Sequence, residues 1–147
     1  MERKELKWTD VPAEWALCLN GECPARESCL RWQAGRLAPD SLAAARCVLP
    51  RSTTGEGCRL FAPVRTERNA RGFANIYSAV RKKDYTPMRL QMTSLFSSKR
   101  RYYESMRGEH PVSPEMQQQI HDLFARWGYA DGVRFDRYEE DFCFPRE

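Results

Sequence analysis

The sequence has no long hydrophobic run. Within its 147 residues, no stretch reaches the length of about 18 consecutive apolar residues that a membrane-spanning helix needs. The first seventeen residues are charged and lack the apolar segment of a secretion signal. We therefore expect a cytoplasmic protein that makes no contact with a membrane.

Motifs of catalysis are also missing. The only histidines are His110 and His121, and neither belongs to a metalloprotease pattern. The sequence contains neither a glycine-rich phosphate loop nor the turn that carries the nucleophile of a serine hydrolase. These absences predict a protein that is not an enzyme.

The residues that are present predict a globular chain with an uneven charge distribution. Apolar residues make up 41% of the sequence, which suffices for one core or two small ones at this length. Residues 81–108 hold eight Lys or Arg against two Asp or Glu, whereas residues 109–147 hold four against nine. A basic middle is thus followed by an acidic tail.

The composition divides the chain into two regions. Residues 1–65 hold five of the six cysteines and are predicted to be loop-rich, with a short helix near Pro24–Arg36 and two short strands joined by the Ser52–Gly57 loop. Residues 66–147 are predicted to form a helical unit that ends in an extended, acidic aromatic tail docked on the helices. The expected fold is mainly α, with a small α+β arrangement as the alternative, and with the first region packed on the second.

The clearest helix is predicted from Pro114 to Trp127. Ser113 can cap its first turn, and its apolar residues recur at helical spacing. The same spacing predicts helices over residues 73–80 and 87–96.

The cysteines of the first region indicate a metal site, because disulfides are not expected in a reducing compartment. Cys18, Cys23 and Cys29 follow a C-x4-C-x5-C spacing, and Cys58 lies on a predicted returning strand. Four thiolates suit a structural zinc ion, which would replace a core in a loop-rich region. We expect these four as the ligands, with Cys47 as the alternative ligand. Burial of unligated thiols as small hydrophobic side chains is the second option. An iron–sulfur cluster is the third, because neither ferredoxin spacing is present.

The segment SKRRYYESMR, residues 98–107, is predicted to form a basic helix with two adjacent tyrosines. Lys and Arg release condensed counterions when they meet phosphates, and tyrosine rings stack on unpaired bases. The predicted nucleic-acid contacts are Ser98, Lys99, Arg100, Arg101, Tyr102, Tyr103 and Arg107. The spacing leaves open which of the two tyrosines is buried.

Two other interpretations of the basic helix stay open. It can dock on an acidic protein surface, or it can be a solvated face that the acids of the tail neutralise. Those acids are Asp136, Glu139, Glu140 and Asp141.

The order of helix, tight turn, basic helix, loop and capped helix over residues 86–128 resembles the helix-turn-helix of Cro and the phage repressors. The residues that match the passage into the next core helix of that family are Arg107, Gly108, Pro111 and Ser113. The resemblance implies that the basic helix is a recognition helix that enters the major groove with its N-terminus. Pro87 in the upstream helix and Ser97 in place of a turn glycine depart from the motif.

Nearly the whole sequence is similar to an uncharacterised family of small bacterial proteins. The shared phrases are CLNGECPARESCLRW, GCRLFAP, the Lys/Arg–Tyr–Tyr helix and FDRYEED. The resemblance implies no activity, but it favours Cys18, Cys23, Cys29 and Cys58 as the ligand set, since the family often lacks a cysteine at the position of Cys47.

Together these features predict a regulatory protein that binds nucleic acid, with DNA preferred over RNA, and that carries a structural zinc site. The alternative is a protein-interaction adaptor whose basic helix docks on an acidic partner.

Overall fold

A computed structural model describes residues 3–49, 53–54 and 57–146. In these residues the chain forms four α-helices and two small two-stranded sheets, an α+β fold, which was the alternative to a mainly helical one. The elements in chain order are α1 (Leu30–Leu37), β1 (Thr53–Thr54), β2 (Gly57–Cys58), β3 (Thr66–Arg71), α2 (Lys82–Ser94), α3 (Lys99–Met106), α4 (Pro114–Arg126) and β4 (Arg137–Phe142). Among the helices of the described residues, none has the length and apolar character to cross a bilayer.

Two compact units divide the chain. Unit 1 consists of Met1–Thr66 and Asp141–Glu147, and unit 2 consists of Glu67–Glu140. The sequence analysis placed a boundary after residue 65 and kept the whole tail in the second region. The last residues of the tail belong to unit 1.

Unit 1 is built from loops around one short helix. α1 begins at Leu30 rather than near Pro24, because a 3₁₀ turn at Arg26–Ser28 precedes it and Cys29 is an extended N-cap residue. Cys29 also forms an isolated antiparallel bridge with Pro63. The helix therefore starts where the chain leaves an extended, paired conformation.

The two strands predicted in unit 1 have different partners. Cys58 lies in β2, which pairs antiparallel with β1. The segment around Cys47 instead forms an isolated parallel bridge with Leu17. Residues 50–52 and 55–56 of the predicted hairpin lie outside the described residues.

Unit 1 has a small apolar core. Its buried members are Leu6, Cys29, Leu30, Ala62 and Phe142. The Trp15 ring meets the ring of Phe144 edge-on at 4.9 Å between centroids, and Trp15 Nε1 donates to the carbonyl of Pro145 at 3.0 Å. Phe142 and Phe144 of the tail thus dock in unit 1, which corrects the prediction for these two rings. Phe135 packs against the core of unit 2, as predicted for the tail.

Unit 2 has the larger core, built on α2, α3 and α4, with α2 in contact with both of the other helices. The buried core residues are Ala70, Phe73, Ile76, Met88, Met92, Tyr102, Val112, Ile120, Leu123 and Phe124. α2 continues through Pro87, although a proline inside a helix removes one backbone hydrogen bond.

The prediction for α4 is confirmed. The hydroxyl of Ser113 accepts a hydrogen bond from the backbone N–H of Met116 at 3.2 Å, and Pro114 occupies the first turn. A capped start and an apolar stripe agree here with the tertiary packing, since the stripe forms part of the core.

In unit 2 one predicted helix is wrong and one strand was missed. Residues 73–80 form consecutive turns rather than a helix, with hydrogen bonds from Ile76 N to Phe73 O (3.2 Å) and from Val80 N to Tyr77 O (3.0 Å). These bonds to the third residue back turn Phe73 and Ile76 inward as a helix would, so the spacing does not distinguish the two. β3 was not predicted at all; it pairs with β4 in a two-stranded sheet.

Candidate metal centre and candidate nucleic-acid surface

Four cysteines of unit 1 line one cavity of about 800 Å³. They are Cys18, Cys23, Cys29 and Cys58, the four predicted ligands. Cys29 is buried and the other three are half-buried. Cys47 is exposed and is not among the described residues that line the cavity.

Cys18 is held against α1. Its backbone N–H donates to the carbonyl of Arg31 at 3.0 Å. A Cβ atom added at Gly35 of α1 would lie 2.6 Å from the carbonyl oxygen of Cys18, so only glycine permits this approach. Gly35 was not among the predicted site residues. A glycine inside a helical pattern, which often marks a close backbone contact, was the signal that could have identified it.

A tight turn connects Cys23 to Cys29. The carbonyl of Cys23 accepts hydrogen bonds from the backbone N–H of Arg26 at 3.2 Å and from its guanidinium Nη1 at 3.1 Å. The backbone N–H of Cys29 donates to the carbonyl of Arg26 at 3.1 Å. Arg26 therefore fixes the chain between two of the cavity-lining cysteines.

Arg31 joins the segments that carry Cys18 and Cys58. Its side chain is buried, with Nε donating to the carbonyl of Leu60 and Nη1 to the carbonyl of Ala16, each at 2.8 Å. Arg31 is also one of the residues that line the cavity, and its guanidinium lies over the Trp15 ring at 4.3 Å from the centroid. This role was not predicted, because an arginine on a short helix gives no sign in the sequence that it is buried.

The four cysteines line one cavity but do not form a metal-binding group. Across residues 3–49, 53–54 and 57–146, no three His, Cys, Asp or Glu side chains form a group that could hold a metal ion. The structure thus brings the predicted ligands to one cavity, but not into the tight tetrahedron of a zinc site.

In unit 2, α3 corresponds to the predicted basic helix. The hydroxyl of Ser98 caps it by accepting a hydrogen bond from the backbone N–H of Arg101 at 3.1 Å. Lys99 and Arg100 are exposed on its first turn, and Arg107 is exposed just beyond its end. Ser98 therefore positions the helix rather than offering a free hydroxyl.

Tyr102 is the buried tyrosine of the pair. Only 1% of it is exposed, and its ring lies 5.6 Å from the rings of both Phe73 and Phe96. Its hydroxyl is 2.8 Å from that of Tyr77, and burial raises the pKa of both phenols. A ring with this little surface cannot stack on a base, so Tyr102 is removed from the predicted contact set.

Tyr103 is half-buried beside it. Its hydroxyl accepts a hydrogen bond from Nη1 of Arg89 at 3.1 Å, which anchors the ring to α2. Part of this ring stays accessible, so Tyr103 is the tyrosine that can meet a ligand.

The arginines of α3 are paired with acids close in sequence. Arg100 Nε lies 2.8 Å from Glu104 Oε1, and Arg101 Nη1 lies 3.1 Å from Glu104 Oε2. Arg107 pairs with Glu109 at 2.9 Å, and its hydrogen bond lowers the pKa of that carboxyl. The side chains of these arginines are accessible to solvent, which screens their attraction to the carboxylates, so another anion can reach them.

The tail acids have partners elsewhere. Glu139 pairs with Arg71 at 3.2 Å and with Arg137 at 3.1 Å. Asp136 accepts a hydrogen bond from the backbone N–H of Ala74 at 3.3 Å. Within the described residues, neither acid pairs with the basic residues of α3. Arg100 and Arg101 pair with Glu104 instead.

A comparison with models of protein families identifies the family of this chain. A family model matches residues 1–144, which covers both units. The chain belongs to DUF6078, a family of unknown function. Membership of DUF6078 confirms the resemblance to an uncharacterised family, whereas a bacterial origin stays a prediction. Neither a curated protein nor a solved structure matches the chain.

This member of DUF6078 therefore offers two candidate sites. One is the cysteine-lined cavity of unit 1, and the other is the exposed basic side of α3 in unit 2. Their chemistry differs, since thiols bind soft metal centres and solvated cations bind phosphates.

Proposed function

We propose that this protein is a non-enzymatic regulatory protein in which unit 1 holds a structural metal centre and α3 of unit 2 contacts nucleic acid. The observation that supports the metal centre is the common cavity of Cys18, Cys23, Cys29 and Cys58. Thiolates are the preferred ligands of zinc and of iron–sulfur clusters, and zinc is the metal that the sequence predicts.

The small core of unit 1 gives the metal a physical role. Where little apolar surface is buried, the free energy of metal binding becomes free energy of folding. Four thiolates also close a site against substrate water, which favours a structural role over catalysis.

Cysteine alkylation of the full chain, followed by mass spectrometry, tests the metal centre. We expect the half-buried Cys18, Cys23 and Cys58 to resist alkylation until a chelator is added, because thiolates bound to a metal are shielded. Cys143 is the matched control, since it is half-buried but is not among the described residues of the cavity wall. The exposed Cys47 should react with or without chelator. Equal rates for Cys18 and Cys143 in the untreated protein would contradict the proposal.

Nucleic-acid binding is supported by the charge that α3 exposes. Within the described part of the chain, no acidic side chain pairs with Lys99, and the side chain of Arg100 is 88% exposed. A phosphate can replace the Glu104 carboxylate at Arg100 at little cost. Counterion release from the nucleic acid then supplies the driving force.

A salt titration tests this second part. We expect full-length protein to bind duplex DNA with an affinity that falls steeply with salt, and the double variant Lys99→Ala/Arg100→Ala to reduce the slope of log K against log salt by about 2. The control Lys82→Ala/Lys83→Ala removes equal charge from exposed positions of α2 and should have the smaller effect. An equal loss of affinity in both variants would mean that α3 is not the binding surface and would contradict the proposal.

Single-stranded DNA and RNA serve as comparison ligands in the same titration. Tighter binding to duplex DNA supports the helix-turn-helix interpretation, whereas preference for single strands together with a loss in Tyr103→Ala supports base stacking. If none of the three binds at low salt, nucleic-acid binding fails and the adaptor with an acidic partner takes its place.

A further inference from the structure

The two-stranded sheet of β3 and β4, the ribbon, lies beside the end of α3 in unit 2. The backbone N–H of Phe73, which follows β3, donates to the carbonyl of Met106 at 3.1 Å, and Met106 is the last residue of α3. Ala70 of β3 and Val112, in the loop that leaves α3, exchange backbone hydrogen bonds of 2.9 and 2.8 Å. These bonds fix the ribbon against the C-terminal end of the basic helix.

Arg137 of β4 brings a cation to this junction. A Cβ atom added at Gly108, whose φ is 85°, would lie 3.3 Å from Nη1 of Arg137 and 3.5 Å from the backbone nitrogen of Gly72. Glycine therefore leaves room for the guanidinium next to the residue that follows Arg107. The side chains of Arg107 and Arg137 are 54% and 57% exposed. Accessible arginines thus reach the same junction from α3 and from β4.

The arginines of the ribbon repeat the charge pattern of α3. Glu139 lies 3.2 Å from Nε of Arg71 and 3.1 Å from Nε of Arg137, just as Glu104 faces two arginines of α3. A carboxylate carries a single negative charge, so each group of two arginines keeps one positive charge. The side chain of Glu139 is 43% exposed, and solvent screens its attraction to the arginines. A phosphate can therefore compete with Glu139 for Arg137.

The two arginine groups lie on the same side of unit 2. Burial lowers the pKa of His110, and the charges of Arg101 in α3 and of Arg71 in β3 lower it further. Both cations are thus close enough to act on one imidazole. This agrees with the backbone bonds that hold the ribbon beside α3.

The resulting basic strip has the length of several phosphates. α3 alone has eight residues and measures about 12 Å. Each strand of a DNA duplex carries one phosphate per about 3.4 Å of helix axis. A strip that begins at Arg100 and continues past the end of α3 to Arg137 can therefore contact more than one phosphate.

We propose that the nucleic-acid surface of unit 2 extends from α3 onto the ribbon, where Arg137 contacts a backbone phosphate in competition with Glu139. The inference rests on the nucleic-acid contact proposed for α3 and names a further part of its footprint. Glu139 holds the guanidinium in place in the free protein and gives way to the phosphate. Such a contact positions the protein on the duplex and carries no sequence information.

The salt titration with duplex DNA, extended to further full-length variants, tests this inference. Arg137→Ala should lower the affinity by about threefold to tenfold and reduce the slope of log K against log salt by about 1, because one phosphate contact is lost. The control Arg126→Ala removes the same charge from the exposed last turn of α4 and should have the smaller effect on both.

A gain of affinity is expected from the opposite change. Glu139→Gln should strengthen binding by about twofold to fivefold, because the amide no longer neutralises Arg71 and Arg137. The control Glu115→Gln removes the same charge from the exposed first turn of α4 and should give a smaller gain. The gain in Glu139→Gln keeps the test decisive even where Arg137→Ala weakens the fold.

The outcomes separate this inference from the contact at α3. If the variants of Arg137 and Glu139 behave like their controls while Lys99→Ala/Arg100→Ala still loses affinity, the extension is overturned and the contact at α3 stands. If the unaltered chain binds no duplex DNA at low salt, both are overturned.

Discussion

The two units have similar lengths but are held together differently. Among the described residues, the core cluster of unit 2 buries ten apolar or aromatic residues, whereas that of unit 1 buries five, of which Ala62 and Cys29 are small. Burial of one large apolar side chain contributes about 1.5–3 kcal/mol, so apolar burial stabilises unit 2 far more. Unit 1 depends on backbone bridges, on the buried Arg31 and, in our proposal, on a metal centre. Cysteines are concentrated where the apolar core is small.

The largest effect is expected from damage to the core of unit 2. Met88 and Leu90 lie two residues apart in α2, but Met88 is fully buried and Leu90 is 62% exposed. Met88→Ala should lower the free energy of unfolding by about 2–5 kcal/mol, because it leaves a cavity. Leu90→Ala should change it by less than about 0.5 kcal/mol. Urea unfolding followed by the helical circular dichroism signal measures both, and similar losses would mean that α2 packs on another face.

The next effect concerns the close approach in unit 1. Gly35→Ala places a Cβ 2.6 Å from the carbonyl oxygen of Cys18, so the two segments must separate. We expect a loss of about 1–3 kcal/mol, as for an overpacked core, although alanine has the higher helix propensity by about 1 kcal/mol. The control is Gly21→Ala, whose Cβ would meet the Trp32 ring at an ordinary 3.5 Å.

Hydrogen exchange of unit 1 amides gives the readout for this pair of variants. Slower exchange in Gly35→Ala than in the parent chain would mean that the higher helix propensity of alanine outweighs the steric clash with the Cys18 carbonyl. The close contact of α1 with the Cys18 segment would then be refuted.

The smallest expected effect is a pH dependence in unit 2. Burial lowers the pKa of His110, and the nearby Arg101 lowers it further, while Glu104 acts in the opposite direction. In the unfolded chain the imidazole has its ordinary pKa of about 6.5, so below that pH the unfolded state binds more protons. Stability from the neutral imidazole is therefore present above about pH 6.5 and is lost as the pH falls toward the folded pKa.

His110→Gln should flatten this acid limb of the stability curve. Urea unfolding between about pH 5 and pH 7.5 measures the slope, and NMR titration of the imidazole gives the folded pKa directly. A folded pKa above the ordinary value would reverse the sign and refute the assignment.

The sequence identified elements whose local signals agree with the tertiary packing. α4 was predicted because Ser113 caps it and its apolar stripe faces the core. The helix predicted over residues 73–80 was wrong, because turns with backbone hydrogen bonds to the third residue back bury the same side chains as a helix. β3 was not predicted, because its residues, TERNAR, show no alternation of apolar and polar side chains. The spacing of apolar residues therefore predicts which side chains are buried more reliably than it predicts the secondary structure that they belong to.

For the candidate sites, too, some residues were predicted from the sequence and others were not. Residue types and spacing picked out the four cysteines that line the cavity. They could not reveal Arg31 or Gly35, whose roles arise from segments distant in the chain. They also could not show whether Tyr102 or Tyr103 is buried. Adjacent residues of a helix point in different directions, and the sequence does not show which direction faces the core.

We propose that unit 1 folds around a thiolate-bound metal centre, whereas unit 2 folds on its apolar core. Hydrogen exchange of the full chain, before and after metal removal that is verified by elemental analysis, tests it most directly. We expect α1 and the segments around Cys18 and Cys58 to lose protection while α2, α3 and α4 keep theirs. Protection in unit 1 that persists without any metal would contradict the account.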